Sequence, residues 1–376
     1  MIVPLLVAIF FWRVGLFVIA FFAPYFLPEF GNSFPYWREI LVSTSYPDWL
    51  WSWGNFDGVH YLTIAKSGYS AQYTQAFFPF YPLLIQFITS ISHLNAFLSA
   101  LLLSNIFFIF FLYLFILLMK MDGLTTKQIQ WTILFVLLFP FSFYFGAIYN
   151  ESLFMTLVIG SFIASRKKMW ALSGLLGLLA SLSRFVGIFL FPALIIELYL
   201  QRGRNRKQIL FHFLCLLLIP CGLLFYMIYL QIIYGDALYF VHAQSVFGAS
   251  RSISHVIFLP QVIWRYLKIF LNVPHTNYFF WVAMWEFVSF ILFLTVIIFN
   301  WKKIRLSYLV FCLLAGLVPT LTGTFSSIPR YILVVFPLYI LHGSINSSKA
   351  KVIIACLYGF MLAIFTVLFV RGYWVS

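Results

Sequence analysis

Long apolar runs alternate with short polar breaks along almost the whole chain, and this pattern predicts a bundle of membrane-spanning helices. Runs of about 17–25 residues can cross a bilayer as helices, which satisfy their backbone hydrogen bonds internally. The breaks predict about eleven spans, within a range of roughly ten to thirteen. The predicted spans are 4–26, 96–119, 129–146, 150–165, 169–182, 186–200, 208–233, 278–299, 306–323, 328–345 and 351–371, and segment 80–93 is a further short or re-entrant helix.

Composition supports the same class. Of 376 residues, 64% are hydrophobic and 9% are charged, which excludes a soluble domain of this length. Residues 1–376 are therefore expected to form one integral-membrane domain of the all-α class. The N-terminal run lacks a charged region before it, so it is interpreted as the first helix and not as a removed signal peptide.

The distribution of positive charge predicts the topology. The net charge is +14, and the basic residues cluster in short turns between apolar runs: Arg166 to Lys168, Arg202 to Lys207, Lys302 to Arg305, Lys349 with Lys351, and Lys120 with Lys127. The positive-inside rule places these turns and the N-terminus in the cytoplasm, where they contact membrane lipids rather than nucleic acid. Two longer segments, 27–95 and 234–277, then lie outside.

The acids fall mainly on the predicted outer side. Glu29, Glu39, Asp48 and Asp57 lie in the first outer segment, and Glu151 and Asp236 lie at other outer positions. Ionisable residues at a membrane are costly and usually functional. The pattern therefore predicts a polar site at the outer face.

The first outer segment contains the densest polar motif. Its stretch "PYWREILVSTSYPDWLWSW" is aromatic and amphipathic, which predicts helices on the membrane surface with tryptophans in the interface. The following "DGVHYLTIAKSGY" predicts a short helix on which Asp57, His60 and Tyr61 share one face. Asp57 is either the helix N-cap or a functional carboxylate. Gly54 and Gly58 favour function, because small residues let another molecule approach.

Several motifs resemble the PIG-V family, which comprises GPI mannosyltransferase II and prokaryotic relatives within the GT-C superfamily of polytopic glycosyltransferases. They cover much of residues 1–345. The motifs are "WGNFDGVHYLTIAKSGY" followed by "AFFPFYPLL", then "FPFSFYFGAIYNESLFMTL" with its Tyr149-x-Glu151-Ser element, "GLLASLSRFVGIFLFPALIIE", "YGDALYFVHAQSVFGASRS", and "SSIPRYILVVFPLYI" with its Arg330-Tyr331 element.

The resemblance implies an inverting transfer of a sugar, mannose in this family, from a polyprenyl- or dolichyl-phosphate carrier to an acceptor hydroxyl. The acceptor is a glycan, a glycolipid or a protein. The acidic residue of the first outer loop, here Asp57, serves the chemistry. The reaction takes place on the outer face of a prokaryotic plasma membrane, or in the ER lumen of a eukaryote. The lipid-linked sugar is a substrate, so no cofactor is expected.

The chemistry assigns roles to the residues. A carboxylate can take the proton of the attacking hydroxyl, while the lipid phosphate leaves already charged. Arg184 and Arg330 suit a phosphate by their forked geometry, as does Arg251 in the second outer segment; each is otherwise a membrane anchor. Arg13, inside the first span, either pairs with a buried acid or extends to the interface.

Other polar residues complete the prediction. Glu151 either complements a helix dipole or serves as a second carboxylate that orients the acceptor. His60, His242 and Gln244 either bind sugar hydroxyls or are structural. No metal is expected, because no third ligand accompanies the two histidines and the motif differs from a DxD metal motif. The four cysteines lie in apolar segments and predict no disulfide.

Two other functions compete with this one. A transporter or lipid-linked glycan flippase would share the polytopic pattern and the intramembrane polar residues. Inverted repeats are typical of such transporters, and none is apparent in the sequence. A glycan polymerase or ligase is the nearer alternative.

Overall fold

The part of the chain that the structure describes is mostly helical. A computed structural model describes residues 2–30, 34, 36–201, 205–247, 251–252 and 255–375. Arg202 and Arg204 of a predicted basic turn, and 248–250 and 253–254 of the predicted second outer segment, lie outside the described residues. The helices are α1 (Ile2–Phe26), α2 (Trp37–Ile40), α3 (Asp48–Trp51), α4 (Asp57–Ser67), α5 (Phe80–Ser92), α6 (Ala96–Met121), α7 (Thr126–Leu138), α8 (Glu151–Arg166), α9 (Trp170–Ser183), α10 (Leu190–Gln201), α11 (Arg206–Leu216), α12 (Leu218–Tyr234), α13 (Tyr239–His242), α14 (Leu259–Asn272), α15 (Tyr278–Asn300), α16 (Leu306–Leu317), α17 (Ile328–Tyr331), α18 (Phe336–Gly343) and α19 (Ser348–Val370). No strand occurs among these residues.

Five segments of the described chain are long and apolar enough to cross a membrane. They are Val3–Phe26, Ala96–Met121, Arg206–Tyr234, Tyr278–Lys303 and Ser348–Val370. Four shorter apolar helical segments accompany them, at Phe80–Ser92, Trp170–Ser183, Phe185–Gln201 and Leu306–Thr322. The class predicted from sequence, an α-helical membrane protein, is confirmed, whereas the count of about eleven spans stays a prediction.

The predicted span 129–146 is wrong in its second half. Helix α7 ends at Leu138, and the chain from 139 to 150 is buried but mostly irregular, with one 3-10 turn at Ser142–Phe145. Pro140 explains the break, because a proline disfavours the helical conformation of the preceding residue, and Phe139 is extended (φ −54°, ψ 137°). Ser142 Oγ then donates to the carbonyl of Leu137 at 2.7 Å, which satisfies one of the carbonyls left open at the helix end.

Prolines also divide two predicted spans nearer the C-terminus. In 306–323, α16 gives way to a 3-10 turn, Val318–Thr322, that contains Pro319. In 328–345, α17 and α18 are separated by the 3-10 turn Ile332–Val334, and Pro337 follows this break. Hydrophobicity continues through both breaks, which is why the apolar pattern alone predicts unbroken helices.

The contacts group the chain into two compact units. Unit 1 comprises the described residues of Met1–Ala71, Pro79–Ile163 and Tyr339–Val375, and unit 2 comprises Gln72–Phe78 and those of Ala164–Leu338. In unit 1, α1 packs on α19, and α4 packs on α5 and α6. In unit 2, α9 packs along α12 and α11, and α10 packs on α16. The hydrophobic pattern of the sequence does not mark this division.

Three of the four tryptophans of the first outer segment are core residues of unit 1, and Trp49 is half-buried. Trp37, Trp51 and Trp53 are buried, and Trp53 is fully enclosed. The expectation that these side chains lie in the membrane interface is therefore wrong for all three. An aromatic residue carries a large apolar area, so burial inside the protein stabilises the segment as effectively as insertion into lipid.

Candidate functional site

The polar motif of the first outer segment begins at a strained residue. Phe56 occupies the N-cap position of α4 with φ 59° and ψ −113°, a conformation that L residues rarely adopt, and such strain costs on the order of 1–3 kcal/mol. Its ring packs against Phe34, Phe369 and Trp374, with centroids 4.7, 5.9 and 5.3 Å away. Asp57 follows as the first helical residue, so the N-cap position predicted for Asp57 belongs to Phe56.

Asp57 is tied through its backbone to Tyr149. The Asp57 N–H donates to Tyr149 Oη at 3.3 Å, and Tyr149 Oη donates to the carbonyl of Asn55 at 3.0 Å. Beside this pair, the Ile148 N–H donates to the carbonyl of Trp53 at 2.9 Å. The irregular chain before α8 is therefore joined to the start of α4, and two motifs about 90 residues apart form one cluster.

The glycines of the motif serve this internal contact. A Cβ on Gly58 would lie 3.3 Å from the carbonyl oxygen of Ile148, and one on Gly54 would lie 2.6 Å from Leu41 Cδ2. Both spaces are therefore filled by the protein itself. The interpretation that these glycines leave room for another molecule is wrong; they let the chain around Ile148 approach α4.

His60 and Tyr61 lie on the buried side of α4. Burial lowers the pKa of the His60 imidazole, and the nearby Asp57 carboxylate opposes this effect. Tyr61 stands edge-on to Tyr81 and Tyr149, with ring centroids 5.1 and 6.5 Å apart. The helix ends before Gly68, whose positive φ of 65° favours glycine.

Glu151 extends the same cluster. Its side chain is 1% exposed at the first position of α8, and it interacts electrostatically with the Tyr81 hydroxyl. That hydroxyl lies 2.7 Å from Ser104 Oγ, which donates to the carbonyl of Tyr149 at 3.1 Å. Five of the predicted site residues therefore lie together in unit 1, and they are defined here as the Asp57 cluster: Asp57, His60, Tyr61, Tyr149 and Glu151.

The sequence interpretation missed three residues that hold the Asp57 cluster. Tyr81 and Ser104 link Glu151 to Tyr149, and Asn55 Nδ2 donates to the carbonyl of Phe369 at 2.9 Å. Tyr81 belongs to the "AFFPFYP" motif, which could have marked it. Asn55 belongs to the "WGNFDGVHY" motif, which could have marked it as well, whereas Ser104 lies in none of the quoted motifs.

Arg13 adopts neither predicted arrangement. Its guanidinium lies over the rings of Phe17 and Trp53, 4.2 and 4.3 Å from their centroids. Both terminal nitrogens are buried and make no hydrogen bond within the described residues. Nη1 lies 2.7 Å from the position that a Cβ on Gly146 would take, so an alanine there would displace the guanidinium. Cation–π contact therefore joins α1 to the chain that leads into α4.

In unit 2, the structure brings Arg184 together with Tyr331. Arg184 follows the last residue of α9 with an extended backbone, and its guanidinium carbon lies 5.6 Å from the centroid of the Tyr331 ring. The chain folds back at Gly187, where a Cβ would lie 2.5 Å from the backbone of Ala180. Arg330 precedes Tyr331 in α17 and is half-buried.

Arg251 lies in a second polar cluster of unit 2. Its Nη1 donates to Gln244 Oε1 at 2.6 Å, and its Nη2 lies 3.5 and 3.4 Å from the hydroxyls of Ser326 and Ser327. Gln244 is thus held by an arginine. Ser327, the N-cap residue of α17, adopts a left-handed conformation (φ 68°), so Arg251 holds the start of the helix that carries Arg330.

Tyr266 and Glu286 also hold the chain that leads into α17. The sequence interpretation identified neither residue. The Tyr266 hydroxyl donates to the buried Glu286 carboxylate and accepts the N–H of Phe325 at 3.0 Å. Burial, reinforced by the Glu286 carboxylate, raises the pKa of Tyr266 well above its usual range. Arg265 donates to the carbonyl of Gly323 at 3.0 Å. The chain before α17 is therefore fixed at several points.

His242 has a carboxylate partner within its own loop. Its Nδ1 lies 2.6 Å from Asp236 Oδ2, and both side chains are partly exposed. This hydrogen bond lowers the pKa of the Asp236 carboxyl. Across the described ranges, no group of three or more His, Cys, Asp or Glu side chains is arranged to hold a metal ion.

The described residues thus contain the Asp57 cluster in unit 1 and arginine-containing clusters in unit 2. The Asp57 cluster can accept a proton and orient a hydroxyl. The clusters of unit 2 offer the forked cationic donors of their arginines. No family model matches the chain, and no curated protein matches it either. The chemistry of these clusters therefore has to be inferred from their geometry and from the motifs in the sequence.

Proposed function

We propose that the protein is an inverting glycosyltransferase that moves a sugar from a lipid-phosphate carrier to an acceptor hydroxyl at the membrane surface. The observation that carries the proposal is the Asp57 cluster. A half-exposed carboxylate follows a strained residue, and a buried second carboxylate, Glu151, belongs to the same cluster. A strained backbone beside two clustered carboxylates is typical of a functional site.

Asp57 is the proposed general base. Its partly exposed carboxylate can take the proton of the acceptor hydroxyl as the oxygen attacks the anomeric carbon. Attack from the face opposite the lipid phosphate inverts the configuration. Negative charge on Asp57 also stabilises the oxocarbenium-like transition state. The phosphate leaves as an anion, so no general acid is required.

The neighbours of Asp57 position the acceptor in this proposal. His60 lies within electrostatic range of Asp57 and, because its pKa is lowered, is neutral at pH 7 and can bond a sugar hydroxyl. Tyr61, which is buried edge-on to Tyr81 and Tyr149, is proposed to line the acceptor site with its aromatic ring. Glu151 is proposed to orient the acceptor.

The arginines of unit 2 are proposed to recognise the donor. Arg184 and Arg330 carry permanent charge and a fork that matches phosphate oxygens. Stacking on the ring of Tyr331 restricts the Arg184 guanidinium, which lowers the entropy lost on binding. His242 and Gln244 are held by Asp236 and Arg251, so their proposed contacts to sugar hydroxyls use the remaining polar atoms of each side chain.

The sugar and the membrane side follow from the motif resemblance. Mannose is the proposed sugar, and the outer face, or the ER lumen, is the proposed side. The acceptor class is a glycan, a glycolipid or a protein.

Donor turnover tests the proposal. Purified protein in lipid nanodiscs would be incubated separately with polyprenyl-phosphate mannose, glucose and arabinose. Release of free polyprenyl phosphate from one donor, with water taking the sugar in the absence of an acceptor and with dependence on Asp57, is the expected result. If no donor is consumed while a lipid-linked sugar moves across the bilayer of protein-containing vesicles, the protein is a transporter and the proposal is wrong.

A further inference from the structure

Helix α14 of unit 2 presents three distinct faces. One face packs on the protein through Val262 and Tyr266, which are buried. Tyr266 is anchored there by its bonds to Glu286 and Phe325. This face fixes the rotation of the helix about its axis, and therefore fixes where the other two faces point.

The second face is apolar and exposed. Trp264, Leu267 and Leu271 are 56%, 40% and 80% exposed. At about 100° per residue, the three side chains fall within a sector of about 60° on the helix surface. Because the protein spans a membrane, a contiguous apolar strip of this kind is stabilised by contact with acyl chains rather than water.

The third face is polar and basic, and it borders the apolar strip. Gln261, Arg265, Lys268 and Asn272 also fall within a sector of about 60°. They line an open groove of about 460 Å³, together with Trp264, Ile269 and Val273. Lys268 Nζ lies 5.6 Å from the centroid of the Trp264 ring. The chain from 237 to 285 contains no Asp or Glu, and the buried Glu286 that follows it interacts electrostatically with Arg265.

We propose that α14 lies in the membrane interface and that its groove binds the phosphate of an anionic phospholipid. An apolar strip beside a basic strip, with a tryptophan at their boundary, matches the change from acyl chains to headgroups across the interface. Arg265 supplies the forked guanidinium and Lys268 a second charge. Gln261 and Asn272 add amide donors. The inference does not depend on the proposed function.

Lipid binding is the first test. Native mass spectrometry of the full chain in detergent would measure retained phosphatidylglycerol and phosphatidylcholine during titration. Phosphatidylglycerol should bind more tightly. Lys268→Gln should weaken its binding about fivefold, because one basic residue near an anionic surface contributes about 1 kcal/mol. Lys66→Gln, at an exposed lysine of α4, is the matched control and should bind as the native protein does.

Arg265→Gln combined with Lys268→Gln should weaken binding roughly 25-fold if the two charges act independently. Lys268→Gln alone retains the hydrogen bond from Arg265 to the carbonyl of Gly323. Weaker lipid binding in this variant therefore does not come from loss of that bond. Equal binding of the two lipids, or unchanged binding in Lys268→Gln, overturns the proposal. Displacement of phosphatidylglycerol by inorganic phosphate at equal concentration also overturns it, because the groove is then a site for small anions.

Depth in the bilayer is the second test. Spin labels would be placed through Leu267→Cys, Leu271→Cys, Gln261→Cys and Asn272→Cys, in a chain whose four native cysteines are replaced. Labels at 267 and 271 should be accessible to oxygen, and labels at 261 and 272 to a water-soluble nickel complex. If the label at 271 is as accessible to nickel as the label at 272, α14 lies in water and the proposal fails.

Discussion

The backbone N–H of Asp57 donates to the phenolic oxygen of Tyr149, 92 residues away in the chain, across 3.3 Å. The same phenol donates to the carbonyl of Asn55, so it joins both sides of the strained residue Phe56. Tyr149 therefore holds the start of α4 in the conformation that presents the Asp57 carboxylate.

Tyr149→Phe should reduce sugar transfer while the protein still folds. The substitution keeps the ring but leaves the Asp57 N–H without its phenol acceptor, at a cost of about 1–3 kcal/mol in stability. The strained start of α4 should relax, and the turnover rate should fall. Thermal unfolding and donor turnover would be measured in parallel. Tyr46→Phe, which removes a hydroxyl bonded to Asn95 in an exposed region, is the control and should have little effect on either.

Asp57→Asn tests the general base directly. The side chain keeps its size, and Phe56 rather than Asp57 occupies the N-cap, so a purely structural role predicts near-native activity. Loss of the base predicts a fall in transfer rate of roughly 10²–10⁴-fold. Binding of the lipid-phosphate donor should persist, since the phosphate contacts are assigned to arginines.

Asp48→Asn is the matched control for Asp57→Asn. Asp48 Oδ1 accepts the indole N–H of Trp51 at 2.9 Å, and an asparagine oxygen can accept it equally. This variant should remain active. A near-native rate in Asp57→Asn would make Asp57 structural and Glu151 the next candidate for the base.

The stability of the protein should depend on pH through His60. The pKa of His60 is lowered in the folded state, so folding favours the neutral imidazole. This contribution to stability is fully present above the pKa of an unfolded histidine, about 6.5. It is lost as pH falls through the lower pKa that His60 has in the folded state. The midpoint of thermal unfolding should therefore fall less on acidification in His60→Gln than in the native protein.

Two controls separate His60 from other groups. His93→Gln, at an exposed position after α5, should leave the acid sensitivity of the native protein unchanged. Asp57→Asn removes the negative charge that opposes the lowering of the His60 pKa. This pKa should then fall further, so the loss of stability due to His60 should extend to lower pH. An identical pH profile in His60→Gln and the native protein would contradict the prediction.

Gly58→Ala should destabilise the protein, although alanine normally favours a helix over glycine by about 1 kcal/mol. The new Cβ meets the backbone oxygen of Ile148 at 3.3 Å, and a backbone atom gives way less readily than a side chain. We expect a loss of about 1–3 kcal/mol, together with lower transfer activity as the start of α4 moves away from Tyr149. Thermal unfolding and turnover would measure the two effects.

Gly359→Ala provides the contrast. In α19 the nearest atom to its added Cβ lies 3.8 Å away, an ordinary contact, so this substitution should be neutral or stabilising. If Gly58→Ala behaves in the same way, the close approach of Ile148 does not constrain α4.

Arg184→Lys and Arg330→Lys should weaken donor use by about tenfold each. Lysine keeps the charge but loses the fork, and a charge-assisted contact contributes roughly 1.5–3 kcal/mol. The effect should appear in the KM for the lipid-linked donor, with a small change in the unfolding midpoint. Arg38→Lys, whose guanidinium lies over the Trp37 ring at an exposed position, is the control. Unchanged donor kinetics in both variants would leave these arginines as membrane anchors.

The sequence determined the helical membrane class, the helix of the DGVHY motif and several helix ends. These features depend on local chemistry: apolar runs long enough for a bilayer, and a glycine at the end of α4 that takes a positive φ. The common face of Asp57, His60 and Tyr61 follows from the same helical period. Such signals lie within a few residues of the feature that they specify, so a single sequence reveals them.

Only the tertiary structure decided which remote residues meet. Hydrophobicity cannot distinguish burial in lipid from burial in protein, so Trp51 and Trp53 were expected at the interface and lie in the core. Gly58 of α4 lies against the chain at Ile148, and Tyr266 meets Glu286 inside unit 2. Each of these contacts joins residues at least 20 positions apart, and its energy depends on close packing and on the pairing of buried polar groups, neither of which leaves a local pattern in the chain.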